Sequence, residues 1–206
     1  MKTKTTLGIL GLAVLLAAGI AALSFAVKPA PYVPPRVRAL EEKARTGDVA
    51  AQLELGNLYY NGDGVPRDAR EAMRWWRGAA EKGNAVAQLN LGTSLLSLGG
   101  SGAAEAVKWL TRAAEAGDEG AQRNLGLLHL TGNGVPQDLR KAAIWLHRSA
   151  ARGDATAQYN LAVMFENGKG VAKDPPEARR WYERAARGGH PAAVRWMQRA
   201  ESEAQQ

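Results

Sequence analysis

The 206-residue chain has no cysteine, and that one absence removes several classes of protein. Without thiols there is no disulfide framework and no thiolate metal site, and an exported N-terminus has no cysteine to lipidate. Histidine is scarce too: His129, His147 and His190 stand apart and form no ligand cluster. No P-loop, G-x-G-x-x-G turn, H-E-x-x-H or G-x-S-x-G occurs, and no serine is followed by lysine three residues later. The chain therefore carries no motif for nucleotide, zinc-peptidase or acyl-transfer chemistry, and no cofactor or metal is expected. Acidic residues are outnumbered, 20 against 27 Lys plus Arg, for a net charge of +7, of which Lys2, Lys4 and Lys28 carry three. The modest remainder favours acidic partners without specifying nucleic acid, and none is expected.

One stretch has no charge at all. Leu7 to Val27 runs 21 residues behind Lys2 and Lys4. As a helix it would span roughly 31 Å, enough for a bilayer core. It is longer than a typical signal-peptide core of about 7–15 residues, yet Ser24-Phe25-Ala26 offers a small-residue cleavage site. Residues 1–27 are thus expected to be a signal anchor or a signal peptide, with length favouring the anchor. Residues 28–38, with Pro29, Pro31, Pro34 and Pro35, read as an extended Pro-rich linker. The expected location is a bacterial inner membrane with a periplasmic domain, or the periplasm or exterior if the segment is cleaved. Reverse insertion would place the rest in the cytoplasm.

What the remainder has in abundance is repetition. Tryptophans at Trp75, Trp109, Trp145 and Trp181 are spaced 34, 36 and 36 residues. Gly47, Gly83, Gly117, Gly153 and Gly189 keep the same period, as do Ala51-Gln52, Ala87-Gln88, Ala121-Gln122 and Ala157-Gln158. The units fall at about 48–83, 84–117, 118–153 and 154–189, with half units at Ala39 to Thr46 and from Pro191 to about Glu203. Each unit predicts two helices. In the first, helix A places Leu55, Leu58 and Tyr59 on one face, and helix B places Ala72, Trp75, Trp76, Ala79 and Ala80 on another. Gly56, Gly92, Gly126 and Ala162 are small enough to let paired helices approach. One pair cannot bury its apolar face alone, whereas a stack of them can.

The loop "NGDGVPRD" from Asn61 suggests a calcium site until its copies are compared. Asp63 becomes Asn133 and then Lys169, and a lysine there would repel a cation. What persists is Gly-x-Gly-Val and a final aspartate, which is turn chemistry. Asp68, Asp138 and Asp174 are expected to cap helix B, with Glu71 and Glu177 completing capping boxes. The tryptophans are expected in the core, His129 as a packed aromatic substitute, and the helix B arginines on a solvated face, with Arg77 paired to Glu81. The same arginines could instead meet anionic lipid or an acidic partner.

This pattern resembles the Sel-one-like repeat family, a subclass of the tetratricopeptide-like α/α solenoids. The residues that carry it are Val49 to Gly56, Gly-x-Gly-Val-x-x-Asp from Gly62 to Asp68, Ala72-x-x-Trp75 and Ala79-Ala80-x-x-Gly83. The same set returns around Gly132 and Gly168, while the second unit ("LLSLGGSGAAEA") lacks the Gly-x-Gly-Val turn. The resemblance implies an all-α, right-handed solenoid of about four helix-turn-helix repeats with half-repeat caps, over residues 39–203 and preceded by the hydrophobic helix. It also implies a role in holding proteins together, often at membranes or in exported assemblies. The β-lactam link of some cysteine-rich members does not carry over to a chain without cysteine.

In such solenoids the first helix of each pair lines an extended inner surface. Positions at i, i+4 and i+7 of helix A form one stripe. It reads Leu53, Asn57, Tyr60; Leu89, Thr93, Leu96; Arg123, Leu127, Leu130; and Tyr159, Val163, Glu166, with Asn90, Asn124 and Asn160 beside it. These are the candidate contacts for a protein or peptide partner, expected to belong to the cell envelope. The asparagines suit the backbone of an extended peptide; the leucines could instead pack on neighbouring helices. The expected function is a scaffold or adaptor. The alternative is a cell-envelope enzyme, or a cell-wall-modifying accessory, with a site assembled from several repeats.

Overall fold

The computed structural model describes residues 32–97 and 102–204, and among them there are ten helices and no strand. Helix α1 (Pro35–Arg45) precedes four pairs: α2 (Val49–Asn61) with α3 (Ala69–Glu81), α4 (Ala85–Ser97) with α5 (Ala103–Glu115), α6 (Glu119–Thr131) with α7 (Leu139–Ala151), and α8 (Ala155–Asn167) with α9 (Pro175–Arg187). Helix α10 (Pro191–Ala204) follows. Each helix packs on its neighbours in chain order, most extensively within a pair. The result is an α/α solenoid with single-helix caps. The segment Leu7–Val27 lies outside the described residues, among which no helix is long and apolar enough to cross a membrane.

Helix α1 starts at Pro35, inside the stretch assigned above to the linker. Proline suits the first helical turn, where its missing N–H leaves no bond unmade. Val37 then buries at 3% exposure and anchors the cap.

The pairing of helices is written in small residues. A β-carbon on Gly56 would lie 2.3 Å from the Trp76 ring, one on Gly92 2.7 Å from Leu110 Cγ, and one on Gly126 2.6 Å from Leu146 Cγ. Helix B can therefore lie directly against the backbone of helix A. The apolar face expected for α3 is buried throughout, and Trp109 and Trp181 are each 3% exposed.

The Ala-Gln marker has a structural reason that spacing alone does not disclose. Gln52, Gln88, Gln122 and Gln158 each donate from Nε2 to a carbonyl eight residues back, Ala44, Ala80, Ala114 and Ala150, all at 3.0 Å. That carbonyl lies in the last turn of the preceding helix, where it also accepts from the N–H of Gly47, Gly83, Gly117 or Gly153 at 3.0–3.1 Å, so the glutamine adds a second bond. Just before each glutamine, Asp48, Asn84, Asp118 or Asp154 caps helix A by accepting from the alanine N–H at 2.7–2.9 Å. Every junction between repeats is thus clipped by a glutamine, and the helix A that follows it is capped, without a crosslink.

The Gly-x-Gly-Val loop is a turn. Gly62 takes φ 83° and donates to the Leu58 carbonyl at 2.8 Å, and Val65 is buried. Asp68, Asp138 and Asp174 cap α3, α7 and α9. One expectation is corrected here. The backbone N–H groups of Asp68 and Asp174 already donate to Tyr59 and Phe165, at 2.8 and 2.9 Å. Glu71 and Glu177 have no cap donor left to reach, so they pair with Arg74 and Arg180 instead.

Candidate partner-binding face

The helix A stripe divides into parts of different character. Leu53, Leu127 and Val163 are half-buried and packed against core clusters, as are Leu89, Leu96 and Leu130. They shape the face without standing out of it. The polar and aromatic members separate into three groups.

Between α2 and α4 the structure brings Asn57, Tyr60, Asn90 and Thr93 around a hollow of about 200 Å³, together with Asn61, Trp76, Ser94 and Ser97. Trp76 forms its floor at 3% exposure, and its Nε1–H donates to Asn57 Oδ1 at 3.1 Å. Asn90 Nδ2 donates to the same oxygen at 3.3 Å. The Asn57 amide nitrogen and the Asn90 amide oxygen are left without a partner among the described residues. Tyr60, 41% exposed, leans its ring 5.3 Å from that of Trp76. Among the described residues no ionised side chain lines this hollow.

Arg123 is not available in the same way. Its guanidinium is bound to Asp154 of the next repeat at 2.6 Å and touches Asn124 Oδ1 at 3.4 Å. It ties α6 to the start of α8. Asn160 turns its amide back onto the Thr156 carbonyl.

At the far end the face is aromatic. Tyr159 stacks on His190 with ring centroids 4.3 Å apart, and Tyr182 stacks on Trp196 at the same distance. Glu166 accepts from the Tyr182 hydroxyl at 2.8 Å. Burial and then the Glu166 carboxylate push the Tyr182 phenol well above its ordinary range, so it remains a donor. His190 is held below the usual histidine value by burial and then by Arg195. Among the described residues no group of three His, Asp or Glu side chains is placed to hold a metal ion.

Trp76, Asn61, Ser94 and Ser97 escape the sequence reading. Trp76 stands beside the marker Trp75 and reads as more of the same core. Its signal is the variation at its own position, which is Leu110, Leu146 and Tyr182 in the other repeats. The helix B arginines also acquire definite partners. Arg74, Arg112, Arg148 and Arg184 lie 4.5–5.0 Å over the rings of Trp75, Trp109, Trp145 and Trp181. Arg77 reaches Glu105 of the next repeat at 2.8 Å, where Glu81 of its own helix was expected.

The repeat boundaries agree with a known family. The Sel1 repeat model matches residues 49–84, 85–118, 120–154 and 155–190. The chain belongs to the Sel1 repeat family. Its similar solved structures include a protective antigen of uropathogenic Escherichia coli strains displaying an SLR fold, 36% identical with a TM-score of 0.70, covering 76% of this chain and 34% of that one. A Sel1 repeat protein from Oxalobacter formigenes is 33% identical with a TM-score of 0.69, over 76% of this chain and 63% of that one. Helicobacter pylori cysteine rich protein B is 27% identical with a TM-score of 0.50, over 65% of this chain and 97% of that protein. This chain thus spans about a third of the first relative and under two thirds of the second. Sel1 repeat proteins are generally protein–protein interaction scaffolds and typically non-enzymatic. In this Sel1 repeat protein the clips at each junction supply, without any cysteine, the connection that stacked repeats need.

Proposed function

We propose that the chain is a scaffold or adaptor that holds an extended segment of an envelope protein along α2, α4, α6 and α8, with the hollow between α2 and α4 as its anchoring point. Leu7–Val27 tethers it to a bacterial membrane with the solenoid on the periplasmic side; if the segment is cleaved, the solenoid is exported. The observation that carries this reading is the free amide nitrogen of Asn57 beside the free amide oxygen of Asn90. A peptide unit offers the matching acceptor and donor. The Tyr60 and Trp76 rings supply apolar contact for a neighbouring side chain. Nothing charged in the hollow demands a charged ligand, and the family's scaffold character favours this reading over an envelope enzyme.

The test is photo-crosslinking in living cells from position 60, with position 70 on helix B as the control. One recurrent envelope protein, lost when Asn90→Trp fills the hollow, is the expected outcome. Crosslinks that are indifferent to position, or that persist in Asn90→Trp, would remove the hollow from the working surface.

A further inference from the structure

A second hollow, of about 450 Å³, lies between α7, α8 and the loop after α8. Ala143, Leu161, Phe165 and Val171 line it with apolar surface, and Ile144 stands on its lip at 52% exposure. Arg140, His147 and Arg148 share that lip. Their spacing of i, i+4, i+7 and i+8 with Ile144 makes one stripe along α7.

The repeats provide an internal comparison. Ile144 is the residue before the marker tryptophan, and in the other units that position is Arg74, Lys108 and Arg180. A solvated helix face takes a cation there. Only this unit places an aliphatic side chain, and only beside an apolar hollow large enough for a bulky side chain. The surrounding charge is uncompensated as well. Arg140 and Arg148 have no ion pair among the described residues, and neither do their counterparts Arg70, Arg112 and Arg184; what sets this unit apart is that its two unpaired arginines share the lip of an apolar hollow. Arg148 lies over the Trp145 ring at 4.7 Å, and the adjacent loop adds the exposed Lys169 and Lys173. The neighbouring carboxylates, Asp138 and Asp174, are engaged as helix caps.

We propose that this hollow docks an acidic segment of a protein partner bearing one bulky apolar side chain, which enters between Ile144 and Phe165 while flanking carboxylates face Arg140 and Arg148. An apolar recess ringed by unpaired cations is complementary to that chemistry. A lipid surface would instead meet a broad basic face without a recessed apolar contact. The site is separate from the hollow between α2 and α4 and does not depend on it.

The probe is a fluorescein-labelled peptide with a central phenylalanine flanked on both sides by aspartates, titrated with the full chain in detergent and read by anisotropy. Saturable binding is expected, weakened about tenfold or more by Ile144→Gln, which removes the apolar contact without adding charge. Ile144 is 52% exposed and the other repeats carry a polar side chain at that position, so this variant keeps the fold. Arg140→Glu and added salt also weaken binding, whereas Asn90→Trp leaves it unchanged. The proposal is overturned by an absence of saturable binding, by undiminished binding to Ile144→Gln, or by equal binding of a peptide with serine for aspartate. Capture of phosphatidylglycerol vesicles that competes out the peptide would also overturn it, in favour of a lipid site.

Discussion

The first and last repeats use the same device and finish it differently. In the first, an aromatic donor on helix B reaches across to helix A, Trp76 to Asn57 at 3.1 Å; in the last, Tyr182 reaches Glu166 at 2.8 Å. The equivalent residues between them, Leu110 and Leu146, only pack. What differs is the residue that the following helix lays on the aromatic ring. Counting from the start of that helix, Asn90 of α4 and Trp196 of α10 hold the same position. Asn90 is short and leaves the hollow open, whereas Trp196 stacks on Tyr182 and covers it. The C-terminal cap therefore closes its end of the face with indole, and the internal junction keeps an opening. Stacked on Tyr182, the Trp196 ring buries apolar surface that the last described pair could not bury by itself.

The strongest way to break this comparison is to remove the aromatic donors. Trp76→Ala and Tyr182→Ala should each cost about 3–5 kcal/mol, as deletions of buried aromatic side chains do. Urea unfolding measures the loss. If Trp76→Ala costs under about 1 kcal/mol, the ring is not the floor of the first junction.

A smaller effect separates the two ends through the residue beneath the ring. Gly56→Ala puts a β-carbon 2.3 Å from the indole and should destabilise by about 1–3 kcal/mol, despite alanine's better helix propensity. Ala162 already stands at the equivalent place in the last repeat. Ala162→Gly should cost only about 1 kcal/mol. Equal losses in the two variants would mean that close approach does not distinguish the ends.

The smallest effect is one of pH and belongs to the C-terminal end alone. His190 is held below its ordinary value by burial and then by Arg195, and its Nδ1 is buried without a partner. The folded state thus prefers neutral imidazole. Its contribution is complete above the unfolded value of about 6.5 and is lost as pH falls from there through the folded value, because the unfolded chain takes up the proton first. Replacement by phenylalanine keeps a ring on Tyr159 and removes the titration. Between about pH 7.5 and pH 5 the parent should lose more thermal stability than His190→Phe. Equal losses would show that the stack is insensitive to the proton.

Much of this architecture was legible from spacing. Repeat length, helix number, the turn character of the Asn61 loop and the caps at Asp68, Asp138 and Asp174 all follow from residues within one or two turns of each other. The failures lie where a group had two possible partners. The Glu71 and Glu177 boxes did not form because the loop backbone already holds the cap N–H groups. Arg77 chose Glu105 across the repeat junction over Glu81 on its own helix. Of the stripe, Asn57, Tyr60 and Thr93 converge, joined by Asn90 from beside it, while Arg123 is bound within the stack and Leu53, Leu127 and Val163 serve as packing.

By itself the sequence determined the unit and its repetition, because helix period, glycine stops and aspartate caps act over a few residues and need no knowledge of the rest. Only the tertiary structure decided which surfaces stay open. Whether Asn90 leaves a hollow, whether Trp196 covers one, and whether Ile144 borders a recess depend on side chains that meet from different helices. Those distances are set by how closely the helices pack, and local propensity does not encode them.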